Sequence, residues 1–88
     1  MPGKAERKVY IDLWSESLEA DLHLSHRVRP ALVGQTEGFS FAYLKELCVS
    51  SMMQWITLSG ASSMDEVVLY QASLLREQMR SKTETTAS

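Results

Sequence analysis

The chain has 88 residues, of which 44% are hydrophobic and 23% charged, and its formal net charge is −2. These values predict one small soluble domain and argue against global disorder. Acidic and basic residues are interspersed without a basic stripe, so we expect no nucleic-acid partner. No apolar run reaches the about 20 residues of a membrane span, and no signal peptide is visible. With its single cysteine, Cys48, the sequence predicts an intracellular protein outside the membrane.

The first predicted helix covers about residues 4–18. Its apolar side chains recur at helical spacing and predict one buried face: Tyr10, Leu13, Trp14 and Leu18. Four polar residues fall on the opposite side of the helix: Lys8, Asp12, Ser15 and Glu16. Residues 19–25 follow as a predicted loop.

The second predicted helix begins near Val28 and ends near residue 35. Pro30 is acceptable only within the first turn of this helix, because proline lacks the amide that an interior position needs. The expected buried side chains are Val28, Leu32 and Val33. Gly34 weakens the end of the helix, and Gly38 indicates the turn that follows.

Ser40 is the predicted N-cap of the third helix, which runs to about Thr57. Phe39 before the cap and Leu44 inside the helix have the spacing of a hydrophobic staple. The apolar positions cover more than one narrow stripe and predict the central, most buried helix: Leu44, Leu47, Cys48, Met52, Trp55 and Ile56.

Ser63 and Glu66 match a capping box that opens a fourth helix over about residues 64–80. Its apolar residues are Val67, Val68, Leu74, Leu75 and Met79. The last residues, 81–88, carry no large apolar side chain and predict an unstructured tail. The fold class is therefore all-α, a small bundle of about four helices that forms one domain over residues 1–80.

The segment TEGFSFAYLKEL, residues 36–47, resembles a motif of the C-terminal helical lid domain of AAA+ ATPases. That motif usually reads T-x-G-F-S-G-A-D-L, and six residues stand at matching positions here: Thr36, Gly38, Phe39, Ser40, Ala42 and Leu44. Pro2 with Arg7 five residues later, the amphipathic first helix, and Leu32 with Val33 before the motif extend the resemblance over nearly the whole chain.

The resemblance implies a lid that packs beside a nucleotide held by a larger α/β domain. It places Gly38, Ser40, Phe41 and Ala42 near adenine and ribose. The implied partners are the large domain in cis or neighbouring subunits. The complete ATPase would bind ATP or ADP with magnesium, and this chain alone is expected to bind no nucleotide. The sequence departs from the family at Phe41, where glycine or a small residue is common, and at Tyr43, where aspartate is common. Phe41 could stack on a purine or pack in the core.

The sequence contains no P-loop and no acidic strand end for magnesium, so we expect no ATP hydrolysis by this chain alone and no catalytic residue. His23 and His26 have a spacing that could hold a metal on a helix, but without a third ligand we expect surface histidines and no metal site. Cys48 is expected to be buried and unreactive. A free-standing helical interaction module, such as a homodimer, is the alternative function.

Overall fold

The computed structural model describes the backbone of residues 1–87 and the side chains of residues 1–81. Within this range the chain forms four α-helices and no strand: α1 (Lys4–Ser17), α2 (Val28–Gln35), α3 (Phe41–Thr57) and α4 (Met64–Ala87). A short 3₁₀ helix, Ala20–Leu22, lies within the predicted loop after α1. The predicted all-α bundle of four helices is confirmed.

Local chemistry accounts for the helix starts. Pro30 lies in the first turn of α2, as predicted. The Ser40 hydroxyl accepts from the Tyr43 amide at 3.1 Å, and the Ser63 hydroxyl accepts from the Glu66 amide at 3.2 Å. Both serines are therefore the N-caps that the sequence predicted.

The α3 helix packs mainly against α4, and α1 packs mainly against α2. The contact between α1 and α3 is smaller, although both helices share one hydrophobic core with α2 and α4. The most deeply buried large side chains in this core are Phe39, Ile11, Leu32, Leu44 and Leu47. The burial predicted for the apolar face of α2 is confirmed at Val28, Leu32 and Val33.

The predicted buried face of α1 was partly wrong. Leu13 is 67% exposed, whereas Ile11 is 2% exposed and Ser15 is fully buried. The face that meets the core is centred on Arg7, Ile11 and Ser15, so it is rotated away from Leu13. Two further apolar residues expected to be buried are also exposed, Ile56 on α3 and Leu74 on α4.

Arg29 on α2 is largely removed from solvent by polar contacts with α1. Its side chain is 15% exposed and lies 3.3 Å from carboxylate oxygens of both Asp12 and Glu16. Arg29 Nη2 also donates to the Ser15 hydroxyl at 2.9 Å. Lys8, through its hydrogen bond, and then Arg29 hold the pKa of Asp12 below its usual value. The arginine thus ties α2 to the polar side of α1.

The α4 helix continues to Ala87, whereas the sequence predicted its end near Arg80. Residues 81–87 contain neither glycine nor proline, so no local signal ends the helix there. The division into a domain at 1–80 and a tail at 81–88 stays a prediction, since Ser88 and the side chains of residues 82–87 lie outside the described residues. In the part of the chain that is described, no helix has both the length and the apolar character to cross a membrane.

Candidate functional site

The turn between α2 and α3 begins at a buried threonine. The Thr36 amide donates to the Leu32 carbonyl at 3.0 Å, and the Thr36 hydroxyl donates to the Val33 carbonyl at 3.1 Å. Thr36 is fully buried and satisfies carbonyl oxygens at the end of α2 that have no partner within the helix. This threonine therefore has a structural role.

Gly38 and Phe39 carry the chain from this helix end to the next. Gly38 has a φ of +86°, in the left-handed region that side-chain-bearing residues adopt at a cost. The Phe39 amide then donates to the Thr36 carbonyl at 2.9 Å and closes the turn. The Phe39 ring is fully buried and meets the Tyr43 ring edge to face, with centroids 5.6 Å apart. Phe39 is thus an anchor in the core.

Ser40 completes the turn by capping α3. Its hydroxyl accepts a hydrogen bond from the Tyr43 amide, and its carbonyl accepts one from the Leu44 amide at 2.9 Å. The amides of Phe41 and Ala42 are the first two of the helix, where no intrahelical carbonyl is available to them. The turn therefore presents two backbone donors at the surface.

Phe41 differs from the other aromatic residues of the segment. Its side chain is 53% exposed, and its ring centroid lies 6.1 Å from that of Tyr10 at an interplanar angle of 40°. The two rings lie along an open cleft of about 350 Å³. Residues of α1 line the rest of this cleft: Ala5, Glu6, Val9 and Leu13. We call this surface the Phe41 cleft.

The lining of the Phe41 cleft is almost entirely apolar. Burial, and to a smaller extent the neighbouring Cys48, raises the pKa of Tyr10. The Tyr10 hydroxyl is therefore neutral at pH 7. The cleft offers aromatic and aliphatic surface and no basic side chain, so it suits a flat, uncharged group better than an anion.

The four residues carried over by the resemblance lie together at this turn. Gly38, Phe41 and Ala42 are exposed, and Ser40 is half-buried behind its hydrogen bond. Phe41 does not pack in the core, because its ring lies at the surface against the ring of Tyr10. Contact of these residues with a nucleotide stays a prediction.

The other candidate groups have structural explanations. Asp65 accepts from the Ser25 amide at 3.0 Å, which joins the start of α4 to the segment before α2. His23 Nδ1 lies 3.5 Å from a Glu16 oxygen. Burial raises the pKa of the Cys48 thiol to about 12, so the thiolate is scarce at pH 7. Among residues 1–81, no three His, Cys, Asp or Glu side chains group as metal ligands.

Sequence reasoning missed two arginines that contact this turn. Arg7 Nη2 donates to the Val33 carbonyl at 3.1 Å, and Arg76 Nη1 donates to the Gln35 and Glu37 carbonyls at 3.0 and 2.9 Å. A signal was present, because neither arginine has an acidic residue three or four positions away on its own helix. Arg7 also lies four residues before Ile11 and therefore on the same face of α1.

Comparison with known proteins gave no relative: no family model, no curated protein and no solved structure matched this chain.

Proposed function

We propose that this chain is the lid, the small C-terminal helical domain, of an AAA+ ATPase. In this role it contributes to adenine-nucleotide binding and to communication between subunits, and it does not hydrolyse ATP alone. Its partners are the large α/β domain of the same protein or of a neighbouring subunit. ATP or ADP with magnesium belongs to the complete ATPase.

The observation that carries the proposal is the division of roles within residues 36–42. Thr36 ends α2, Gly38 turns the chain, Phe39 fills the core and Ser40 caps α3. Phe41 and Ala42 do none of these tasks and lie exposed at the helix start. Phe41 belongs to a contiguous apolar surface with Val9, Tyr10 and Leu13, and burial of such a surface by a ligand or partner is favourable.

The exposed position fits a purine that another domain holds. A base could stack on the Phe41 ring, while its polar edge or the ribose meets the amides of Phe41 and Ala42. The small Ala42 side chain permits close approach of the ligand to the backbone. The cleft is lined by no basic group that could hold phosphates, so the proposal assigns phosphate binding to the large domain.

The gene upstream of Met1 gives the first test. The lid proposal expects the same reading frame to encode a P-loop and an acidic strand end. A stop codon directly before Met1 would contradict it and favour the free-standing interaction module.

The second test uses the ATPase that this frame encodes, with Phe41→Ala as the variant and Tyr70→Ala as the control. Tyr70 is an exposed aromatic residue like Phe41, 56% exposed, but it lies on α4 and outside the Phe41 cleft. Loss of one base-stacking ring should raise the KM for ATP by about tenfold. The control should leave the KM unchanged. An unaltered KM in Phe41→Ala would contradict the placement of the base on Phe41.

A further inference from the structure

Two arginines from different helices hold the backbone that leads into α3. Arg7 on α1 donates to the Val33 carbonyl, and Arg76 on α4 donates from one nitrogen to the carbonyls of Gln35 and Glu37. These carbonyls lie in the last turn of α2 and just after it, where the helix dipole concentrates partial negative charge. A guanidinium is well matched to such a group of acceptors.

Arg7 is 6% exposed, and its guanidinium also donates to the Pro2 carbonyl at 3.4 Å. No carboxylate pairs with it among the ion pairs of residues 1–81. Two backbone carbonyls accept from its guanidinium, while its buried Nε has no hydrogen-bond partner among the described residues. A buried arginine in this situation fixes the distance between α1 and the end of α2.

Arg76 acts together with Met79, one turn further along α4. The Met79 methyl group lies 3.7 Å from the position that a side chain at Gly38 would occupy. One face of α4 thus contacts the turn twice, at the carbonyls through Arg76 and at Gly38 through Met79. These contacts couple the position of α4 to that of the turn.

We propose that Arg7 and Arg76 are positioning residues of the Phe41 cleft. They fix the direction in which the chain enters α3 and so set where the Phe41 ring lies against Tyr10. This inference rests on the proposed function in one respect only, which is that the ligand of the cleft is a nucleotide. Through Arg76, displacement of α4 relative to α2 changes the position of Phe41.

The test substitutes Arg76, because Arg7 is buried and its replacement would destabilise the fold. Amide hydrogen exchange is measured by NMR on the full 88-residue chain carrying Arg76→Gln, with Arg80→Gln as the matched control. Arg80 lies one turn further along α4, 66% exposed, and pairs with Glu77 at 3.2 Å. The Phe39 and Tyr43 amides report on the turn, since they bond to Thr36 and Ser40.

In Arg76→Gln we expect hydrogen exchange at these two amides to accelerate by about tenfold. We also expect the nuclear Overhauser effect between the ring protons of Tyr10 and Phe41 to weaken. Arg80→Gln should leave both readouts unchanged. Arg76→Lys should restore part of the protection, because an ammonium can still donate to one of the two carbonyls.

Three outcomes would overturn the inference. One is exchange at the control level in Arg76→Gln. Another is equal acceleration throughout the chain, which would show a role in global stability alone. The third is a loosened turn with an unchanged contact between the Tyr10 and Phe41 rings. None of these measurements involves a nucleotide, so this inference can hold even if the proposed function is wrong.

Discussion

Gly38 is a residue at which the backbone conformation limits the choice of side chain. Its φ of +86° lies in the region where an L side chain meets its own backbone, while a Cβ added there would meet the Met79 methyl only at 3.7 Å. Space is therefore available, and the conformation alone opposes substitution. Gly34 is different, because it lies within α2 with nothing within 4 Å of an added Cβ.

These two glycines give opposite predictions. Gly38→Ala should lower the free energy of unfolding by about 1 to 2 kcal/mol, the cost of a left-handed residue with a Cβ. Gly34→Ala should raise it by about 0.5 to 1 kcal/mol, because alanine loses less backbone entropy in a helix. Urea denaturation followed by far-ultraviolet circular dichroism measures both. A stabilising Gly38→Ala would show that the turn does not need the left-handed conformation.

The residues of the turn also show what sequence could and could not predict. Ser40 and Gly38 were predictable because caps and turns are local, depending on neighbours two or three positions away. The position of the Phe41 ring against Tyr10 was not, because it depends on how α1 lies across α3. The Arg76 contacts join residues about 40 positions apart, so the local pattern could show that Arg76 has no acidic partner on its own helix but could not identify the carbonyls it contacts.

At the level of the helices, the join between α1 and α2 depends on one buried serine. The Ser15 hydroxyl accepts from the Leu24 amide at 2.8 Å and from Arg29 at 2.9 Å. Sequence periodicity assigned Ser15 to the polar face of α1. This assignment was wrong, because the Ser15 hydroxyl is buried and accepts both of these hydrogen bonds. Ser51 on α3 is equally buried, but its hydroxyl has no hydrogen-bond partner.

The two buried serines should therefore respond differently to the same substitution. Ser15→Ala leaves the Leu24 amide buried without its acceptor and should cost about 1 to 3 kcal/mol of unfolding free energy. Ser51→Ala removes an unsatisfied hydroxyl and should be neutral or stabilise the fold by about 1 kcal/mol. Thermal and urea unfolding compare the two. Equal destabilisation by both variants would show that Ser51 has an acceptor.

At the scale of the whole molecule, apolar side chains remain on the surface of α1 and α3. Leu13 is 67% exposed beside the Phe41 cleft, and three residues spaced along one face of α3 are 38 to 68% exposed: Val49, Met53 and Ile56. Both proposed functions account for such a surface. A lid would cover it with the rest of the ATPase, and a free-standing module would cover it with a second copy.

The double variant Leu13→Gln with Ile56→Gln separates these two functions without unfolding the chain. Both side chains are already in water, so each change should alter the unfolding free energy by no more than about 0.5 kcal/mol. Leu47→Gln is the control for burial, since Leu47 is 1% exposed and a glutamine there should cost more than about 2 kcal/mol.

Light scattering then gives the mass of each chain in solution. The lid proposal predicts a monomer of 9.9 kDa for the unmodified chain and for the double variant alike, because the partner of this surface is absent in both. A stable dimer that the double variant converts to monomer would contradict the lid proposal, since the chain would then supply its own partner. Leu13, Ile56 or both would in that case lie within a symmetric interface, where buried apolar anchors contribute most of the binding energy.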